Sequence, residues 1–300
     1  MACSAVFLGI LVLYPNETSL QSHEINVARQ IERMQKIEDP KIIFIGGSGY
    51  GFGLSSPMIY DHFHMPVCNT GTHADIGLLS QLNLCKDYIH KGDIVVVIPE
   101  YHQYFGVGYL GQKTLLRIFS SVYPQGYKEL TIRQQIHLFQ YIPSAFNDAK
   151  KCRNGSFFAD DNPYSMKSLN KYGDVECYES RIHKTSIDST FEVWEHPKIQ
   201  RSAIIALSDY DRFCKEKGAT MLLFPPAYKA MDFDENKDFI LFIWQCLVES
   251  GLPCVSYPER YRMADTLHYD TNYHLTYEGV VIRTNCLIDD MDSALLDFQN

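Results

Sequence analysis

Ser48 sits in a run of glycines, Gly46-Gly47-Ser48-Gly49-Tyr50-Gly51-Phe52-Gly53, directly after the apolar residues 41–45. Glycines let another molecule approach the backbone closely, and amides opening a helix favour a developing negative charge. A serine hydroxyl there is either a nucleophile or a group that hydrogen-bonds within its own turn. Near the other end of the chain stands Asp270-Thr271-Asn272-Tyr273-His274-Leu275. An aspartate four positions before a histidine can hold the imidazole through Nδ1 and leave Nε2 to take a proton from a hydroxyl. The alternative is a polar segment that caps the following helix. Together the two stretches supply a nucleophile, a base and an orienter.

Three phosphate or acyl motifs are absent. G-x-G-x-x-G requires a third glycine, but Phe52 and Leu54 occupy that position in the two possible registers. No lysine follows these glycines as a P-loop requires, and Tyr50 breaks G-x-S-x-G. The pair His62 and His64 lacks a third ligand at convincing spacing and reads as a solvated loop, so no metal site is expected. No cofactor is expected either.

The elements needed to position these residues are legible as alternation. Residues 41–45, 66–69, 94–98, 220–224 and 253–257 are short apolar runs, the pattern of strands buried on both faces. Amphipathic helices are expected at about 21–35, 73–90, 132–149, 199–217, 238–249 and 276–291. This alternation predicts an α/β fold: a three-layer α/β/α sandwich on a mostly parallel five-stranded sheet of flavodoxin-like type. Ligands of such sheets bind at the carboxyl ends of the strands, where Ser48, Asn69 to Gly71, Glu100 and Pro225-Pro226 fall. The expected organisation is an N-terminal apolar segment and helix at 1–36, then one domain at 37–300 with an insertion at about 101–197.

Composition narrows the partners. A net charge of -9 with no Lys/Arg run excludes a nucleic-acid partner and an electrostatic membrane patch. Nine cysteines without a C-x-x-C pair read as buried thiols rather than a disulfide framework. The apolar residues 5–14 are too short to span a bilayer and lack a basic flank. They are either the remnant of a signal anchor or a buried element.

With these residues in view, the chain resembles the SGNH (GDSL-like) esterases and acyltransferases. Gly46-Gly47-Ser48 is similar to their first block, with Gly47 where the family has Asp. Asn69-Thr70-Gly71 resembles the second, and Asp270 to His274 the last, with one residue more than the usual spacing. The likeness covers about 41–105 and 218–292 and is nearest the membrane-tethered bacterial branch that includes alginate O-acetylation proteins. It implies a catalytic Ser48, His274 and Asp270, an oxyanion hole from the amides of Ser48 and Gly71, and a pocket near Asn69, His73, Glu100, Tyr101, Gln103 and Asn272. It further implies an acyl-ester or carbohydrate substrate, a membrane acyl-transfer partner and a cell-envelope location on the extracytoplasmic side; the buried-element reading of 5–14 leaves a cytoplasmic one. The third block departs from the pattern, because Glu100 stands where an asparagine is expected. A carboxylate facing an oxyanion repels it unless protonated, and Tyr101 or Gln103 could donate instead. That departure, with Gly47, favours the alternative of a non-catalytic binding or assembly protein that keeps the fold.

Overall fold

The structure, a computed structural model, describes residues 15–152, 158–187, 193–195 and 197–297. The apolar segment 5–14 lies outside the described residues. The centre is a parallel sheet of β1 (Ile42–Gly46), β2 (Val67–Asn69), β3 (Ile94–Ile98) and β4 (Thr220–Leu223), in the order β2-β1-β3-β4. The strands β1 and β3 are buried throughout, as their runs of Ile, Val and Phe require.

Successive side chains of each strand enter different cores. Ile43, Ile45, Val95, Val97, Met221 and Leu223 pack with residues of the helices Asn26–Lys36, Leu78–Lys86, Arg201–Lys217 and Lys237–Glu249. Ile42, Phe44, Val96, Ile98 and Leu222 pack with the helices Ser56–Phe63 and Tyr277–Asp297. Helices therefore cover both faces of the sheet. The helix Asn26–Lys36 contributes Val27, Ile31 and Met34 to the first core and so belongs to the same packing unit.

The sheet has four strands rather than the expected five. Residues 253–257 do come alongside β4, but only through one parallel bridge, Leu223 to Cys254. Ser256 then takes a left-handed φ of 69°, which turns the chain out of the extended course before a ladder can form. A second pair, Tyr228–Lys229 with Arg262–Met263, forms a small parallel sheet of its own.

Two expected helices are interrupted. In place of one helix over 73–90 there is a tight turn, Ala74–Ile76, followed by the helix Leu78–Lys86. Gly77 sits between them at φ 83°, and a side chain there would run into the backbone of Leu110 and Gly111. The stretch 132–149 splits into Ile132–Leu138 and Ile142–Lys151, with Pro143 in the first turn of the second. The helix Lys113–Ser121 was not expected; it buries Leu115, Leu116, Ile118 and Phe119. His62 lies in the helix Ser56–Phe63 and pairs with Asp292 at 2.8 Å, rather than in a loop.

Candidate active site

Ser48 opens a single helical turn, Ser48–Gly51, immediately beyond β1. The residue at its cap position is Gly47, which has no side chain with which to satisfy the turn's amides. Glu100, just past the end of β3, supplies the missing acceptor: its Oε1 takes a hydrogen bond from the Gly49 N–H at 3.2 Å. A side chain on residue 47 would overlap this carboxylate. Gly47 and Glu100 thus meet in space, the small residue at 47 making room for the acid at 100.

The loop is also held by its carbonyl groups. Arg283, fully buried beneath Tyr50, donates to the carbonyls of Gly49 and Gly53 at 2.9 and 3.0 Å. Arg181, from the middle of the chain, donates to the carbonyls of Phe52, Val175 and Leu275. It therefore ties the Ser48 loop to the segment that carries His274. Burial lowers its pKa to about 10, so the guanidinium stays charged at neutral pH.

The other half of the site is a compact loop. An antiparallel bridge joins His268 to Leu275, and the Tyr269 N–H bonds the His274 carbonyl at 2.8 Å. Thr271 Oγ1 accepts from the amides of Tyr273 and His274. This turn sets the four-residue spacing between Asp270 and His274. His274 Nδ1 lies 2.9 Å from Asp270 Oδ1, so Asp270 orients the imidazole; the cap of the following helix comes from Thr276 Oγ1, which accepts from Gly279 N–H. The His274 ring stacks on Phe52, centroids 4.1 Å apart and planes 10° from parallel. The Ser48 loop thus provides the surface on which the His274 ring rests.

Asp270 has a second partner that the sequence did not suggest. Tyr164 donates its hydroxyl proton to Asp270 Oδ2 at 2.9 Å and lies 3.2 Å from His274 Nδ1. Burial of Asp270 favours the neutral acid, but the hydrogen bonds from His274 and Tyr164 and the charge of Lys184 outweigh it. Its carboxyl is held below the usual range.

Ser48, His73, Glu100, Tyr164, Asn272 and His274 line one cleft of about 660 Å³. That volume suits a small-molecule site. Its far wall contains Glu24 and Arg117, paired as a salt bridge. Burial would push Glu24 up, but Arg117 reverses this and holds it below the ordinary carboxylate range. His23, also in this wall, is driven down to about 4 by burial. His73 Nδ1 accepts from the Asp75 N–H at 3.3 Å, which leaves its proton on Nε2.

The remaining sequence-selected residues are structural. Asn69 is fully buried, donates to the Tyr50 carbonyl and to Asp174, and accepts from the Gly71 N–H at 3.0 Å. The Gly71 amide, expected to face an oxyanion, is thereby engaged within the protein. Tyr101 and Gln103 turn into the core, Tyr101 against Trp194 and Tyr228, Gln103 onto Gln81 and the Ala74 carbonyl. Among the described residues the Ser48 N–H makes no hydrogen bond, so it is free to meet a ligand.

No family model matches the chain, and no curated protein matches it in sequence.

Proposed function

We propose that the protein is a serine-dependent esterase or O-acyltransferase of SGNH type. One observation carries the reading: Ser48, beyond β1, and the Asp270-oriented His274, from the far end of the chain, line the same cleft at the carboxyl edge of the sheet. The strand order β2-β1-β3-β4 agrees with the flavodoxin-like arrangement of that superfamily.

In this reading His274 Nε2 takes the Ser48 proton as Oγ attacks the ester carbonyl. The oxyanion is met by the Ser48 amide. His274 returns the proton to the departing alkoxide, leaving acyl-Ser48. Water then attacks to give the acid, or a carbohydrate hydroxyl attacks to give a new ester, and His274 takes the attacking proton before returning it to Ser48. For transfer at a cell envelope, the acyl group would come from a membrane partner. The experiment is labelling with a fluorophosphonate, followed by peptide mapping. A covalent adduct on Ser48, with turnover of a short-chain aryl ester, supports the proposal; a native protein that reacts at neither would refute it.

A second reading rests on a specific observation. The amides of Gly49 and Gly71 are both bonded internally, to Glu100 and Asn69, which weakens any oxyanion hole. Loss of one such donor typically costs about 10²–10³ in rate. A binding protein with this fold would hold a ligand in the cleft without modifying it, and Ser48 would then remain unlabelled while ligand binding persisted.

A further inference from the structure

We propose that Tyr164 is a positioning residue that sets the proton affinity of His274 through Asp270. This rests on the esterase reading for its consequence in catalysis, but not for its physical content.

The hydrogen-bond geometry allows one arrangement in which all three groups are satisfied. A phenol has one proton to give, and an imidazole nitrogen either gives or accepts. If Tyr164 gave its proton to His274 Nδ1, that nitrogen could not donate to Asp270 Oδ1, and a carboxylate would face a lone pair at 2.9 Å. With Tyr164 donating to Asp270 Oδ2 and Nδ1–H donating to Oδ1, both carboxylate oxygens are used. The phenol oxygen, 3.2 Å from Nδ1, then accepts a minor share of the same N–H. Nδ1 carries the proton, and Nε2 is the free base.

The position of Tyr164 is enforced by its ring. It packs tilted on Phe52, with centroids 5.1 Å apart, and edge-on to His23 at 5.4 Å. Its neighbour Ser165 forms a bridge with Ser22, and the Tyr164 carbonyl accepts from the His23 N–H at 2.8 Å. The segment is therefore tied to the wall of the cleft by backbone, independently of the hydroxyl. That separation makes the hydroxyl testable: phenylalanine retains the ring contacts and removes only the proton donor.

Consider the charge seen by His274. Asp270 faces it directly; Lys184 approaches the far carboxylate oxygen at 3.7 Å. His23 and His268 lie near it but are held neutral by burial in this range, and Arg181 binds the adjacent Leu275 carbonyl. A hydroxyl donated to Asp270 draws charge away from Nδ1. Its removal leaves a more basic carboxylate beside the imidazole, which favours the imidazolium. The sign is therefore an increase in the pKa of His274.

The test is a histidine NMR titration of native protein and Tyr164→Phe, with His274→Ala to assign the signal. The His274 pKa should rise by about one unit in Tyr164→Phe. The acid limb of the rate of Ser48 labelling should move up by the same amount, while labelling at pH 9 is nearly preserved. An unchanged or lowered His274 pKa in a folded Tyr164→Phe protein overturns the proposal. The titration needs no turnover, so the outcomes separate. If the native protein is never labelled yet the pKa rises, the positioning role stands and the esterase reading falls. If Ser48 is labelled and the pKa does not move, the reverse holds.

Discussion

The two edges of the parallel sheet solve the same problem in opposite ways. At the amino edge the residues entering β1 and β3 are Lys41 and Asp93, both fully buried. Their side chains meet at 2.8 Å, Asp93 also accepts from the amides of Lys41 and His90, and every polar group has a partner. At the carboxyl edge the residues leaving the same strands are Gly47-Ser48 and Glu100. There the acid accepts one amide from the other loop, at 3.2 Å, Ser48 is half-buried, and among the described residues the Ser48 amide makes no hydrogen bond. One edge is closed by satisfied charge and the other left incomplete around a cleft. An edge that only had to be stable would not need an unengaged amide, so the contrast itself points to the carboxyl edge as the place where a ligand completes the structure.

The sharpest way to test that contrast is to alter one edge at a time. If the proposed esterase reading holds, Ser48→Ala should reduce ester turnover by at least about 10³-fold, since members of a triad act as a unit. The same change should leave unfolding stability within about 0.5 kcal/mol, as a half-buried loop residue whose hydroxyl has no hydrogen bond among the described residues contributes little. Retained turnover would remove Ser48 from the chemistry. Lys41→Met should do the opposite. It leaves Asp93 buried and unpaired, at a cost of about 3–5 kcal/mol, measured as a lowered denaturant midpoint. The folded fraction should still react with a fluorophosphonate at the native rate. A Lys41→Met protein that kept its stability but lost labelling would mean the two edges are not separable.

How much of this was legible in the sequence follows from how local each feature is. The strands β1 and β3 announce themselves as unbroken apolar runs, because burial on both faces tolerates nothing else. Ser48, His274 and Asp270 were singled out because the set nucleophile, base and orienter has few alternatives in type and order; the structure brings Ser48 and His274 to one cleft and Asp270 against His274. The break at Gly77 was not, since its left-handed φ answers to Leu110 and Gly111, more than thirty positions away. Nor was the fate of Gly71 and Gln103, whose direction depends on packing partners. The middle of the chain read as an insertion at about 101–197 with one helix, at 132–149, and little other pattern. Yet Tyr164, Asp174 and Arg181 come from it: Tyr164 lines the cleft, Asp174 accepts from Ser56 and Asn69, and Arg181 bridges the loops that carry Ser48 and His274. Such residues carry no periodicity, and single polar side chains that act over long sequence separations leave no local signal.

A pH experiment sharpens the comparison with a smaller effect. Burial holds His23, in the wall of the cleft, at about 4, and His268, bridged to Leu275, at about 3. The unfolded chain binds a proton at each below about 6.5, while the folded protein does not until its lower value is reached. Stability must therefore fall as pH drops from 6.5 toward 4 and 3. The loss between pH 7 and 5 is about 2 kcal/mol for each histidine. His268→Phe should flatten the denaturant-midpoint profile over that window by about one histidine's share. A profile as steep as the native one would mean that His268 is already protonated in the folded state.

The smallest effect concerns Glu100, where both features of the carboxyl edge meet. Its carboxylate caps the Ser48 turn through Gly49 and also lines the cleft beside Ser48. These roles pull in different directions. As a cap, a negative charge at a helix start is favourable by about 0.3–1 kcal/mol. Beside an oxyanion forming at the Ser48 amide, the same charge is unfavourable. Glu100→Gln keeps the shape and an acceptor oxygen for Gly49 while removing the charge. It should lower stability by less than about 1 kcal/mol. It should also raise the rate of Ser48 labelling several-fold, because the developing negative charge no longer meets a carboxylate. The order of the two changes is informative. Lower stability with an unchanged labelling rate would confine Glu100 to capping, and the carboxyl edge would then owe its open amide to Gly47 alone.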